Sequence, residues 1–180
     1  MITKQYNLYL FDELSESQKE RAIENNRDIN IMDEWFQNDI IQDATEKLQR
    51  QGFQDAKINY TGFYSQGDGA SFSANVDLEQ FLKGRRVATK YAKELKDDEL
   101  NISITNKGHY SHEYMMSLDV DGDISDELEA FILEEAREQA RSIYSDLKKT
   151  YESLQEDEVV ADTLQVNEYY FNDAGKIEIA

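Results

Sequence analysis

Ile58-Asn59-Tyr60-Thr61-Gly62-Phe63-Tyr64-Ser65-Gln66-Gly67-Asp68-Gly69-Ala70-Ser71-Phe72-Ser73-Ala74 reads as two extended runs on either side of a Ser-Gln-Gly-Asp-Gly turn. In the first run Ile58, Tyr60, Gly62 and Tyr64 alternate with Asn59, Thr61 and Phe63. In the second, Ala70, Phe72 and Ala74 alternate with Ser71 and Ser73. Alternation with period two, broken by glycines, is the pattern of a β-hairpin, with Gly67 and Gly69 expected at positive φ. The stretch is the least charged and most aromatic part of an acidic chain, which predicts a place at the centre of the sheet.

Working outward toward the N-terminus, Gly52 is a natural left-handed stop to a helix over Met32 to Gln51. Trp35, Phe36, Ile40, Ile41, Ala44 and Leu48 form its apolar stripe. Before it, Ser15-Glu16-Ser17-Gln18 is a capping-box pattern that opens a helix over Glu16 to Asp28, with Ala22 and Ile23 inward. Tyr6 to Phe11 reads as a short strand. On the other side, Asp77 to Lys96 reads as one helix with Leu78, Phe81, Leu82, Ala88, Tyr91, Ala92 and Leu95 buried. It carries Lys83, Arg85, Arg86, Lys90, Lys93 and Lys96, a basic element expected to pair with the acidic remainder. Leu100 to Asn106 and Glu113 to Asp121 are two strands joined through Lys107 to His112. A long helix over Asp126 to Leu154 has a continuous stripe that should lie across the sheet. A short helix over Glu156 to Gln165 and a hairpin of Tyr169–Phe171 with Lys176–Ile179 complete the chain. The sum is α+β: one domain over residues 1–180, with one mainly antiparallel β-sheet and several helices packed on it, the long one in the C-terminal third.

Composition sets bounds on function. A chain of 180 residues with 39% hydrophobic side chains can bury a core. It has no cysteine, which removes disulfides and thiolate metal sites and fits a reducing cytoplasm. No apolar run reaches membrane-spanning length, and the N-terminus lacks the layout of a signal peptide. The net charge of −19, from 38 acidic and 19 basic residues, argues against direct binding to nucleic acid or an anionic membrane. It suits high solubility, a partner with a basic surface, or imitation of nucleic acid.

Several constellations invite chemistry. Asp119-Val120-Asp121-Gly122-Asp123 resembles a calcium loop, but its glycine falls fourth rather than sixth and position twelve is Ala130. An Asp-Gly turn into a helix with an acidic first turn accounts for it. His109 and His112 could share a metal with Glu113 or with the Asp119–Asp126 run, although no third ligand is fixed by spacing. Ser111 beside them lacks an elbow or oxyanion loop, so no catalytic motif emerges and the expectation is a protein that is not an enzyme. Gly67-Asp68-Gly69 has neither the lysine nor the strand–loop–helix order of a phosphate cradle, and no cofactor is indicated. What remains is acidic. Asp119, Asp121, Asp123, Asp126, Glu127, Glu129, Glu134 and Glu135 occur with no basic residue among them, extended by Glu152, Glu156, Asp157, Glu158 and Asp162 and by Glu13, Glu16, Glu20 and Glu24. Carboxylates fixed on strands and helices can imitate a phosphate track and compete for a basic groove. A merely solvated face is the alternative.

Tyr60-Thr61-Gly62-Phe63-Tyr64-Ser65-Gln66-Gly67-Asp68-Gly69-Ala70-Ser71-Phe72 also resembles the signature of a family of small acidic bacteriophage proteins, some labelled antitoxin-like. Phe11-Asp12-Glu13-Leu14-Ser15, Gly108-His109-Tyr110-Ser111-His112-Glu113 and Asn167-Glu168-Tyr169-Tyr170-Phe171-Asn172-Asp173-Ala174-Gly175-Lys176 resemble further parts of it. The resemblance implies a phage protein acting in the host cytoplasm and brings no catalytic residue with it. With the acidic run, it yields the expectation of a protein that binds a host protein with a basic surface, as an inhibitor of CRISPR, restriction or another nucleic-acid-handling defence. An antitoxin and a metal-binding protein are the alternatives.

Overall fold

The computed structural model describes residues 7–32, 35–97 and 99–178. In chain order the elements are β1 (Tyr9–Leu10), α1 (Glu16–Asn25), α2 (Phe36–Arg50), β2 (Phe53–Tyr60), β3 (Ala70–Val76), α3 (Leu78–Gly84), β4 (Asn101–Asn106), β5 (Met116–Asp121), α4 (Asp126–Ser153), α5 (Asp157–Val166), β6 (Tyr170–Phe171) and β7 (Ile177–Glu178). The fold is α+β and every strand pairing is antiparallel, as expected. The strands divide between two sheets, ordered β1-β6-β7 and β2-β3-β4-β5. The chain resolves into two compact units, Met1–Phe36 with Lys149–Ala180 and Gln37–Lys148.

The first unit has a small core of Phe11, Leu14, Ala22, Val160, Leu164 and Phe171. Phe11 meets Phe171 edge-on at 6.0 Å. The Ser15 N–H donates to Gln18 Oε1 at 2.9 Å, the reach-back half of the capping box. Helix α1 ends at Asn25 rather than Asp28, because the Asn26 amide turns back to donate to the Ala22 carbonyl at 2.7 Å. Trp35, expected in a buried stripe, is 59% exposed, and α2 begins only after it. Without helical backbone at Trp35, the three-and-four spacing has no hold on its direction. Of the expected terminal hairpin, Ile179 lies outside the described residues.

The second unit holds the larger core. Ala70, Phe72 and Ala74 of β3, Ile102 and Ile104 of β4 and Met116 of β5 face the α4 stripe of Leu128, Ile132, Ala136, Ala140, Ile143 and Leu147. The helix matches its expected bounds to one residue and shares its buried stripe with the sheet's core. Phe53, Phe72, Phe81 and Phe131 link edge to face at 5.4 to 5.6 Å, and Leu48 of α2 closes the layer.

Three expectations are corrected here. The hairpin is not central as a whole. β2 is an outer strand, bulged between Gln54 and Lys57 with Asp55 at φ 53°, and of the two hairpin strands β3 alone is flanked on both sides. The alternation also ends at Tyr60. Beyond it the chain leaves the sheet, so Phe63 stacks on Tyr60 at 5.8 Å and meets Tyr144 at 5.7 Å rather than pointing the opposite way. Finally, the helix expected over Asp77 to Lys96 stops at Gly84. Arg86, at φ 59°, holds the left-handed position of a Schellman turn, with Arg86 N–H on Lys83 O and Val87 N–H on Leu82 O, both at 3.0 Å. Turns and a 3₁₀ segment over Glu94–Lys96 carry the rest.

Candidate functional site

The acidic run is distributed by its secondary structure. Asp119 and Asp121 lie on β5, Asp123 in the turn after it, Asp126, Glu127 and Glu129 in the first turn of α4, and Glu134 and Glu135 two turns further on. Successive helical residues diverge by about 100°, so these eight side chains do not form one row. Four are tied. Lys107 and the Thr105 hydroxyl bind Asp119 and hold its carboxyl below the usual carboxylate range. Glu127 takes Lys90 at 2.6 Å, and that hydrogen bond raises the ammonium above its ordinary value. Glu134 takes Arg141 at 2.7 Å and Glu135 takes Arg85 at 2.6 Å. The basic segment after β3 thus pairs with α4, as expected. Asp121, Asp123, Asp126 and Glu129 remain: exposed, without an ion pair among the described residues, and gathered at the corner where β5 turns into α4.

The opposite end of the same sheet is aromatic. The β2–β3 loop and the β4–β5 loop both emerge there, and Tyr64, Tyr110 and Tyr114 stand 70%, 60% and 67% exposed on them. Ser65 to Asp68 form a turn closed by Asp68 N–H to Ser65 O at 3.1 Å, with Gly67 at φ 96°. Asp68 Oδ2 accepts the N–H groups of Tyr64 and Ser65 at 2.9 and 2.6 Å, so the donors a phosphate would need are already held by a carboxylate. Gly69 is not at positive φ, contrary to expectation. Its requirement is space, since a Cβ there would lie 2.9 Å from His112 Cδ2 and 3.1 Å from the Ser111 carbonyl oxygen. The two loops therefore touch at Gly69. His112 stacks on Tyr114 at 5.1 Å and pairs through Nδ1 with Glu113 Oε2 at 2.9 Å. The Lys148 ammonium lies 5.6 Å from the Tyr64 ring centroid.

The metal reading joined His109 and His112 to the Asp119–Asp126 run. The histidines precede β5, whereas Asp121 ends it and Asp123 and Asp126 follow it, so a strand about 20 Å long separates them. Among the described residues no three His, Asp or Glu side chains converge into a group that could hold a metal.

A family described as a domain of unknown function (DUF8835) matches residues 35–157. The chain belongs to this family. The DUF8835 match takes in the whole unit of Gln37–Lys148, hence both the carboxylate corner and the tyrosine loops. It also takes in Tyr60–Phe72 and Gly108–Glu113, but neither Phe11–Ser15 nor Asn167–Lys176. No curated protein and no solved structure matches the chain. Among the described residues no helix is long and apolar enough to cross a membrane.

The sequence reading missed the tyrosine end as a unit. Tyr60, Phe63, Tyr64 and Phe72 read from the sequence as mostly core, with those on the hairpin's second face able to form a partner surface, and the loss of strand geometry after Tyr60 is what leaves Tyr64 exposed.

Proposed function

We propose that this DUF8835 protein acts by binding another protein that presents a basic surface, and that Asp121, Asp123, Asp126 and Glu129 make the contact. The observation that carries the reading is the sorting of the acidic run. Half of its carboxylates are neutralised by lysine or arginine, while these four stay exposed and unpaired at one corner. In a chain of net charge −19 they sit within a long-range field that draws a cationic partner in and weakens with salt. The resemblance to small acidic phage proteins makes the partner a host protein in the host cytoplasm. An anionic corner suits a nucleic-acid-handling target, which makes the protein an inhibitor of the anti-CRISPR or anti-restriction class that mimics part of a phosphate track.

The test is affinity capture from host lysate with the wild type and with D121N/D123N/D126N/E129Q. One basic protein retained by the wild type, released by duplex DNA or raised salt and lost by the quadruple variant is the expected result. A partner held equally by both proteins overturns the corner as the contact. A second contact surface is favoured by the exposure of Tyr64, Tyr110 and Tyr114, because tyrosines dominate the centres of protein interfaces. If the partner survives the corner variant and is lost on Y64S/Y110S/Y114S, this end is the binding face.

A further inference from the structure

The sheet of the second unit has two outer strands, and they are finished differently. β2 is bulged, with Asp55 at φ 53°, a device that spoils an edge for further pairing. β5 is regular: Met116–Asp121 pairs with Asn101–Asn106 residue for residue, without a shift. The phase of that ladder follows from one bond just beyond it. Lys107 N–H donates to the Met115 carbonyl at 3.1 Å, and the two residues stand opposite in the same register, so they form a hydrogen-bonded pair. Hydrogen-bonded and open pairs alternate along an antiparallel ladder. Ser117, Asp119 and Asp121 therefore turn their backbone groups toward β4, and Met116, Leu118 and Val120 turn theirs outward. Met116 agrees with this assignment. Its carbonyl accepts from Arg137 Nη2 of α4 at 3.3 Å, and its N–H donates to the Glu113 carbonyl. The N–H and C=O groups of Leu118 and Val120 have no partner among the described residues. Two donors and two acceptors are thus left in a row on an unbulged edge.

We propose that β5 takes up an extended basic segment of another protein as an added strand, held by the main-chain groups of Leu118 and Val120 and selected by the carboxylates beside them. Leu118 and Val120 pack toward the core, so the alternate residues Asp119 and Asp121 stand exposed on the opposite face. Glu129, also exposed, lies about two turns before Arg137 on the row of α4 that reaches the strand. Asp119 already holds Lys107, whereas Asp121 and Glu129 have no ion pair among the described residues. A segment paired with Val120 places its two neighbouring residues opposite Asp119 and Asp121, so lysine or arginine at alternate positions fits. A second copy of this chain does not fit. In the two-fold register that engages all four main-chain groups, Leu118 meets the copy's Val120 and Asp119 falls opposite its own counterpart. Like charges directly opposite are destabilising, and two molecules of net charge −19 repel. The proposal rests on the reading of the carboxylate corner as a site for a basic partner, and adds that the partner arrives as main chain along the sheet edge.

The probe is a short synthetic peptide of alternating lysine and valine, titrated into the full wild-type chain and followed by amide NMR at about 50 mM salt. Binding should slow hydrogen exchange at Leu118 and Val120 by about tenfold, and leave Ser117 and Asp119, already paired with β4, unchanged. Two N-methylated peptides of the same charge decide the mode. With its lysines opposite the carboxylates, the peptide turns its valine N–H groups toward β5 and its lysine N–H groups away. N-methylation at the valines should therefore weaken binding at least about tenfold, and at the lysines by less than about twofold. D121N should weaken the parent peptide about threefold. The methylated peptides are compared on the wild-type protein, so the test does not depend on a variant folding. Absence of binding, equal loss from both methylated peptides, or protection elsewhere than at Leu118 and Val120 would overturn strand addition. A chain that dimerises with those two amides protected would overturn it as well, by giving the edge to a second copy. If a basic protein is nonetheless captured through Asp121, Asp123, Asp126 and Glu129, the carboxylate corner stands and only the added strand falls.

Discussion

Arg85 is the side chain on which the second unit most depends for its polar connections, and Arg85→Ala tests that dependence. Its guanidinium is 14% exposed and donates through Nε to Glu135 Oε2 at 2.6 Å, with Glu135 28% exposed. Nη1 donates to the carbonyls of Gln51 and Phe81, both at 3.1 Å, satisfying backbone after α2 and within α3. The plane also covers the Phe81 ring at 3.7 Å. A charge-assisted bond at this burial contributes about 1.5 kcal/mol once solvent screening is allowed for, and the two carbonyl bonds together about 1 kcal/mol. The ring contact adds about 1 kcal/mol. Because the terms share one side chain and overlap, the expected loss on Arg85→Ala is about 3 kcal/mol. Urea unfolding followed by far-UV circular dichroism reads this directly. A cycle with Glu135→Gln should show a coupling of about 1 kcal/mol. Arg85→Lys should recover less than half of the loss, since an ammonium cannot reach the carboxylate and both carbonyls from one plane. A loss under about 1 kcal/mol for Arg85→Ala, or no coupling to Glu135, would refute the account.

Two backbone predictions run in opposite directions. Gly52→Ala should destabilise by at least about 2 kcal/mol, because Gly52 is at φ 94° and a Cβ would lie 2.7 Å from the Phe81 backbone nitrogen. Arg86→Gly should stabilise by about 0.5–1 kcal/mol, because it places glycine where the Schellman turn holds Arg86 at φ 59°. Both are read from urea midpoints. Asp119 should titrate below about 3.8 in a side-chain NMR experiment, and Lys107→Met should move it upward. Its folded value is the depressed one, so its contribution is present above the unfolded carboxylate value and fades as pH falls through the folded one. A loss of stability on Lys107→Met that stays as large below the folded carboxylate value as at neutral pH would contradict this.

How legible the molecule was depended on whether local pattern and tertiary fate agreed. Helix α4 has a stripe repeated over many turns, and each repeat votes for the same face, so bounds and burial were both readable. The strands β3 and β4 were readable for the same reason at period two, and β5 from Met116 onward, whereas Glu113–Met115, expected in that strand, form a 3₁₀ turn. The segment after Asp77 was not, because its apolar spacing continues past Gly84 while Arg86 breaks the helix from a position where sequence rules expect glycine. The division of strands between two sheets was hidden because β1, β6 and β7 are two residues each, too short to show any periodicity. For the candidate site, the acidic run was visible as composition. Which carboxylates stay unpaired depends on Arg85, Lys90, Lys107 and Arg141, and three of these come from outside the run's own elements.

The positions of the two candidate surfaces bear on how the binding experiments are read. β5 begins beside the tyrosine loops and ends at the carboxylate corner, so the surfaces lie at opposite ends of a strand about 20 Å long. Among the described residues no side-chain hydrogen bond or ion pair joins Asp121, Asp123, Asp126 or Glu129 to either loop, and the intervening Asp119 is held by Lys107 and Thr105. At that separation, exposed charges are screened from the loops by more than a Debye length at physiological salt. Neutralising the corner should therefore leave the backbone amide NMR shifts of Tyr64, Tyr110 and Tyr114 as they are in the wild type. If the corner variant instead displaces those amide signals, the two ends are coupled through the sheet and a partner at one would bias the other.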